Sequence, residues 1–560
     1  MSNIADYFVN YLITEQGLTD AFGVPGGVIL KFLEALERKK DVLSAHLLYH
    51  EQSAGFAACG YSQASGKLGV AYATRGPGIT NMVTCIAEAY QESLPVLFVT
   101  AHSQKNESSM RFEFEQELDL TNAVTDFCKY AVSIDSVDNA LREISKSCKI
   151  AMEGRKGPIL LDFFSGLWDS EVPETLEKNN LFLFRRSQEK LEEAICEIEC
   201  ALRKSKRPVI LIGDGIRQSR AIEEVKYLTE IKIPVISSRA SQDLLSGATN
   251  YYGYIGSHGI RYGNSILVKS DLIVSIGNRM AFPLNSQSFS PMINQKNIIR
   301  IDIDTPEFER KFSKCKCFCV DAKTLLKELV KKKNVFNGFD DWMDVCNILR
   351  DKLKEHDVSE PVKNIIDILK LNEFSSYVCD VGNNEFWFSR AYEYLHLMGN
   401  VFHSKSFGTL GVGLGRAIGV YYATQKPVMC VIGDQGLQYN IQELQYIAHW
   451  NLPITILVIN NRCSGMIQDH EQTLFCNKLI HVSESTGYSL PEFSRISCAY
   501  GIPYMKFENE IKKWSVNNPQ MIEISVNSDT ELTPTLPRGR GCDDMEPLMD
   551  RKLYEFISNL

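Results

Sequence analysis

The chain is predicted to be α/β, built as three doubly wound parallel-sheet domains. Short apolar runs ending in Gly, Asp or Asn alternate with helix-period segments along its whole length, the pattern of strands buried on both faces and joined by crossover helices. The 560 residues leave room for three or four domains at roughly 100–200 residues each. No internal low-complexity tract interrupts the alternation.

The first unit, residues 1–170, has a small-residue helix opening at His50-Glu51-Gln52-Ser53-Ala54-Gly55. A strand over 69–74 follows, running into Gly76-Pro77-Gly78, and the unit closes on a strand over 157–162. The charged stretch 170–189 reads as a linker. The middle unit, 190–335, has strands over 208–212, 271–276 and 298–303, the first ending in Gly213-Asp214-Gly215. No full Gly-x-Gly-x-x-Gly is present, so these read as plain strand-to-helix turns. Residues 332–358 form a charged, helical connection to the third unit, 360–530. The tail, 531–560, is punctuated by Pro and Gly and carries Arg538 and Arg540.

Composition excludes several classes. The chain is 44% hydrophobic and 23% charged, with 60 basic and 69 acidic residues and a net charge of −9. Those are ordinary values for a globular protein, and the acidic balance opposes general binding of a phosphate backbone. Nucleic acid is not an expected partner. No apolar run approaches the ~20 residues of a membrane span, and Met1-Ser2-Asn3-Ile4-Ala5-Asp6 lacks a basic-then-apolar signal. No membrane partner is expected, and the location expected is cytoplasmic. The 16 cysteines are mostly scattered singly, as at Cys85, Cys430 and Cys498, and read as reduced, small hydrophobes. Cys315-Lys316-Cys317-Phe318-Cys319 alternates like a strand with three thiols on one face, unlike a zinc site.

The chemistry concentrates in the third unit. Asp434 follows the apolar run 428–432, Asn461 follows 454–459, and the segment between, 441–447, has helical periodicity. Such a unit brings both strand ends to one edge of a parallel sheet, where these sheets bind ligands. A carboxylate and an amide oxygen suit magnesium, which takes near-octahedral oxygen ligands from one or two protein groups, phosphates and water.

Gly433-Asp434 followed by Asn460-Asn461, together with Glu51, resemble the thiamine diphosphate (ThDP) enzyme family, most closely its acetolactate synthase-like branch of 2-oxo acid decarboxylases and carboligases. The resemblance, in motif order over residues 1–530, implies a pyrimidine-binding first domain, a central domain and a diphosphate-binding third domain. It implies magnesium ligands at Asp434, Asn461 and the carbonyl of Cys463. Gly433, Gln435, Gly436, Ser464, Gly465 and Met466 are then cofactor neighbours, with Asn383 and Asn384 on the diphosphate side. Gly408, Thr409 and Leu410 are expected under the aminopyrimidine, Leu410 wedging the two rings, and Gly76 beside it. Glu51 is expected to bond a ring nitrogen and favour the imino tautomer that takes the thiazolium proton. Gln116 is expected near the reacting carbon, which makes Glu51 and Gln116 the candidate catalytic residues. The resemblance also implies a 2-oxo acid substrate, an active site shared between subunits of a homodimer or homotetramer, and a tail that can fold over that site.

The chain departs from the family pattern at several positions. Gln435 stands for the third Gly of Gly-Asp-Gly, placing a side chain where backbone approaches a diphosphate. Gly415-Arg416 stands for Pro-Ala, and Glu115 for Phe. Arg75 stands for Ser before Gly76-Pro77-Gly78, where a guanidinium could clamp a substrate carboxylate. Acetolactate synthases carry FAD on the middle domain with an Arg-Phe-Asp-Asp-Arg type segment; Gly277-Asn278-Arg279-Met280-Ala281-Phe282 departs from it, which argues against FAD. Three classes stay open: a carboligase, a simple decarboxylase with a proton donor among His50, His102 and His470, and a non-catalytic homologue.

Overall fold

The computed structural model describes residues 3–103, 115–173, 188–404, 406–476, 478–508, 512–536 and 539–560. Most of the expected linker, together with Arg538 of the tail, lies outside the described residues.

The three predicted sheets are present, each six-stranded and parallel. Sheet one holds β1 (Asp20–Gly23), β2 (Ser44–Leu47), β3 (Gly69–Tyr72), β4 (Val96–His102), β5 (Tyr130–Ile134) and β6 (Ile159–Phe164), in the order β2-β1-β3-β4-β6-β5. Sheet two holds β7 (Pro208–Ile212), β8 (Val235–Ser238), β9 (Tyr251–Ile255), β10 (Leu272–Ile276), β11 (Asn297–Asp302) and β12 (Cys315–Cys319), in the order β12-β11-β10-β7-β8-β9. Sheet three holds β13 (Ser376–Cys379), β14 (Asn400–His403), β15 (Val428–Gly433), β16 (Ile454–Asn460), β17 (Tyr504–Phe507) and β18 (Gln520–Ser525), in the order β14-β13-β15-β16-β18-β17. Sheets one and three therefore share one winding. In each, strand order reverses between its first and third strands, so a crevice opens at the carboxyl ends of β1/β3 and of β13/β15.

Domains one and three bury a single core between them, reaching from Ile4 through Trp168 to Val378 and Met521. Its seam is the contact of the Glu51–Ser65 helix with the Val412–Thr424 helix. The small residues of both segments explain that contact. A Cβ on Gly419 would stand 1.8 Å from the carbonyl oxygen of Ala57, and one on Gly60 would stand 2.3 Å from that of Arg416. Backbone thus packs on backbone, and the Glu51 end of one helix is held beside the start of the other.

The middle domain has its own core, which takes in Trp342 and Leu349 of the charged connection and Met549 and Ile557 of the tail. Arg390 of domain three donates to the carbonyls of Thr533 (2.6 Å) and Pro534 (2.5 Å). Arg261 of the middle domain donates to those of Met545 (2.9 Å) and Pro547 (2.8 Å). The described tail residues thus run from domain three back onto domain two.

Candidate active site

At the end of β15, Asp434 is 2% exposed and opens the Asp434–Tyr439 helix. Its Oδ1 accepts from the backbone N–H of Gln435 (2.7 Å) and the hydroxyl of Tyr488 (3.0 Å). Its Oδ2 accepts from the N–H of Arg462 (2.7 Å). Burial pushes the Asp434 carboxyl up to about 6 against these bonds, a cost that a divalent cation would offset.

Asn461, after β16, brings one end of its amide to 2.9 Å from the carbonyl oxygen of Cys463 and 3.2 Å from Asp434 Oδ2. With its nitrogen there the amide donates to both neighbours; rotated to present its oxygen, it completes a set of three oxygens suited to a cation. For ligands about 2.0–2.1 Å from magnesium, adjacent oxygens of the octahedron stand about 2.9 Å apart. The residues present therefore fit the cation.

The ends of β13 and β16 bring the remaining third-domain candidates to the same edge. Gly382 has φ +121° and leads into the Asn383–Leu395 helix. Asn384 donates to the carbonyl of Asp380 (2.8 Å), and a Cβ on Gly433 would stand 3.3 Å from its Oδ1. The Asn383 amide is buried with neither polar end in a formed hydrogen bond. A Cβ on Gly465 would stand 2.5 Å from Asn461 Nδ2 and 2.9 Å from Asn383 Nδ2, so only glycine keeps this floor open. Ser464 donates its N–H to the Val482 carbonyl, and Met466 is half-buried against the local core. Gln435 keeps ordinary helical backbone. The tight position is Gly436, where a Cβ would stand 2.9 Å from Asp380 Oδ1, so the Gln435 side chain is accommodated.

The 406–411 turn lies beside that edge. Gly408 and Gly411 have φ of +70° and +86°, and Leu410 between them is half-buried. Asp380 takes the N–H groups of Gly411 (3.0 Å) and Gly413 (2.7 Å). Burial holds that carboxyl up at about 7.

In domain one, Glu51 begins its helix after β2 and accepts from Asn81 Nδ2 at 2.9 Å. A Cβ on Gly78 would stand 3.5 Å from its Oε1. Gly76, at φ +57°, would press a Cβ to 2.3 Å from the carbonyl oxygen of Gln116, itself at φ +64°. Glu51, Gly76 and Gln116 are thus gathered around one glycine turn.

Two expectations change. The Arg75 guanidinium is engaged by Glu117 and Ser103, so the group expected as a substrate clamp already has a carboxylate partner. His102 offers Nδ1 to Asp162 (3.0 Å) and Nε2 to Asp135 (3.1 Å); with both nitrogens engaged it is poorly placed to protonate a substrate. His50 caps its helix through Nδ1, which accepts from Gln52 N–H at 3.0 Å. Sequence reasoning missed Tyr488 and Asn440. Asn440 accepts from Ser53 (2.9 Å) and donates to the Gly411 carbonyl (2.9 Å), tying the Glu51 helix to the turn after Leu410.

Two sheets of one winding, docked by the Glu51 and Val412 helices, with a magnesium-type donor set on one and a helix-opening glutamate on the other, define a cofactor-dependent α/β class. Comparison with known proteins agrees. Residues 2–123 match the thiamine pyrophosphate enzyme N-terminal TPP binding domain, 196–329 the central domain and 380–520 the C-terminal TPP binding domain. The chain belongs to the thiamine pyrophosphate enzymes. It is 29% identical to the acetolactate synthase large subunit of Lactococcus lactis subsp. lactis, over 95% of this chain and 94% of that one. It is 29% identical to a probable acetolactate synthase large subunit of Methanococcus aeolicus, over 92% and 91%. With the acetolactate synthase isozyme 2 large subunit of Escherichia coli it shares 27% identity, over 96% and 98%.

Proposed function

We propose that the protein is a ThDP- and magnesium-dependent enzyme that decarboxylates a 2-oxo acid and joins the acyl unit to a second carbonyl compound. The observation that carries this reading is the convergence of Asp434 Oδ2, the Asn461 side-chain amide and the Cys463 carbonyl at the end of β15 and β16. Asp434, Asn461 and the Cys463 carbonyl would hold the cation, which would neutralise diphosphate charge there. Bound there, ThDP supplies a carbon nucleophile for a ketone and a sink for the electron pair left when carbon dioxide departs.

The chain's own residues supply position and proton control. Glu51 accepts from Asn81, and its carboxylate would bond a ring nitrogen and hold a proton there. Leu410 would wedge the rings, and Gln116, which packs on Gly76, would border the acceptor space. A simple decarboxylase needs a proton donor for the released aldehyde; His102 is tied to two carboxylates and His50 serves as a cap, which leaves His470 of the three candidates.

The reading extends to a cytoplasmic homodimer or homotetramer with each site shared between subunits; no described helix is long and apolar enough to cross a membrane. It excludes FAD. Arg279 is held by Glu307 (2.7 Å), which also takes Arg310 (2.9 Å). The Gly213 turn packs directly on Gly277: a Cβ added to Gly213 would stand 2.3 Å from the Gly277 carbonyl oxygen.

The test is carbon dioxide release from pyruvate and larger 2-oxo acids by purified protein with ThDP and magnesium, with products identified by mass. Release with a condensed product is the expected result. Free aldehyde alone would make it a decarboxylase, and no release from any acid by ThDP-loaded protein would make it a binding homologue.

A further inference from the structure

The turn that carries Leu410 is gripped from both sides, and one grip comes from another domain. Leu410 stands between Thr409 and Gly411. Gly411 is bonded to Asp380 of its own domain (3.0 Å). Thr409 is bonded to Glu88 of domain one, its hydroxyl donating to Glu88 Oε2 at 2.7 Å. Ser404 donates to the same oxygen at 2.9 Å and accepts from the Thr409 N–H at 3.0 Å. The other carboxylate oxygen, Oε1, takes the guanidinium of Arg416, whose second amino group donates to the carbonyl of His403. One turn further along, Glu92 accepts from the N–H groups of Ser406 and Phe407.

Glu88 and Arg416 are both fully buried. A charge so placed is costly unless it is paired and bonded, and beyond their mutual contact Glu88 Oε2 and the second Arg416 amino group bond the two ends of one short turn, while Arg416 Nε is left without a partner. The Val83–Gln91 helix, which carries Glu88, contacts the Glu51–Ser65 helix of its own domain. The carboxylate is therefore fixed in the frame that also carries Glu51.

We propose that Glu88, balanced by Arg416, is a positioning residue that sets the Thr409-Leu410 backbone, so that ThDP binding in the third domain depends on the docked first domain of the same chain. The inference rests on the proposed function: Leu410 is taken as the wedge between the cofactor rings. Through Glu88, a displacement of domain one reaches the turn under the cofactor directly.

The experiment is titration of ThDP, with magnesium in excess, into apo-protein, followed by calorimetry, with thermal unfolding recorded in parallel. The informative variant is the double substitution Glu88→Leu with Arg416→Met, because removing both charges leaves no orphan ion where Glu88→Gln would. Its expected result is a near-native unfolding midpoint with ThDP affinity weakened about tenfold or more, from the loss of two charge-assisted hydroxyl bonds. The KM for the 2-oxo acid at saturating ThDP stays unchanged. Where that variant does not fold, Glu88→Asp keeps the charge but shortens the reach, and is expected to weaken ThDP binding several-fold. A folded variant that binds ThDP as the wild type does overturns this inference alone. A wild-type protein that takes up no ThDP overturns both it and the functional reading.

Discussion

The hydroxyl of Tyr488 donates to Asp434 Oδ1 at 3.0 Å, which leaves Oδ2 turned toward Asn461. Tyr488 is thus the outer partner that orients a candidate metal ligand. Tyr488→Phe is expected to weaken magnesium-dependent ThDP binding about 10- to 100-fold, with folding retained. Asp434→Ala is expected to abolish it, and a chelator should release ThDP from the wild type. Calorimetric titration with and without magnesium checks all three; a Tyr488→Phe protein with wild-type affinity would remove the tyrosine from the site.

Glu51 accepts from Asn81 at 2.9 Å, and Glu51→Gln preserves that contact while removing the capacity to hold a proton. Turnover is expected to fall by about 10²–10⁴, the usual share of a general acid–base group, with ThDP affinity nearly unchanged. Carbon dioxide release measured beside a binding titration separates the two effects. Equal loss of both would make Glu51 a binding group only.

Part of this site was legible in the sequence because its signals are local. Asp434 and Asn461 each stand at the end of an apolar run, so strand periodicity alone brings them to one sheet edge. Gly465 and Gly436 belong to the same short segments. Tyr488, Asn440 and Glu88 were not legible, because each meets partners distant in sequence and no spacing rule links it to them; Asn440 directly follows the Asp434–Tyr439 helix yet bonds Ser53 and Gly411. The partners of Arg75 were not legible for the same reason: Glu117 and Ser103 meet its guanidinium only in the folded chain. Gln435 shows the opposite limit. The missing third Gly suggested a disturbed loop, yet the position that crowds Asp380 is Gly436, one residue on.

Gly419 tests the domain seam. An added Cβ would stand 1.8 Å from the carbonyl oxygen of Ala57, and backbone cannot rotate away as a side chain could. Gly419→Ala is expected to destabilise by about 1–3 kcal/mol or more, the cost of overpacking. A substitution to Ala inside a helix otherwise stabilises slightly, so the sign alone is diagnostic. Thermal unfolding of the variant gives the answer, and an unchanged or raised midpoint would mean the two helices are not in backbone contact.

Glu443 gives a pH dependence whose sign can be worked out. Its buried carboxylate accepts from the Tyr49 N–H at 3.2 and 3.3 Å, but burial outweighs those bonds and raises it to about 7. The unfolded chain releases this proton near the ordinary value of about 4.3. Below that value both states are protonated and stability is at its full level. As pH rises from there toward 7 the unfolded state loses the proton first, so stability falls through this window and levels off above it, by on the order of 3 kcal/mol. Asp380, also at about 7, and Glu385, likewise at about 7, add to the same slope. Glu443→Gln carries no proton to lose, so its unfolding midpoint should fall less than the wild type's between pH 5 and pH 8. Parallel slopes for the two proteins would mean that Glu443 ionises alike in the folded and unfolded chains.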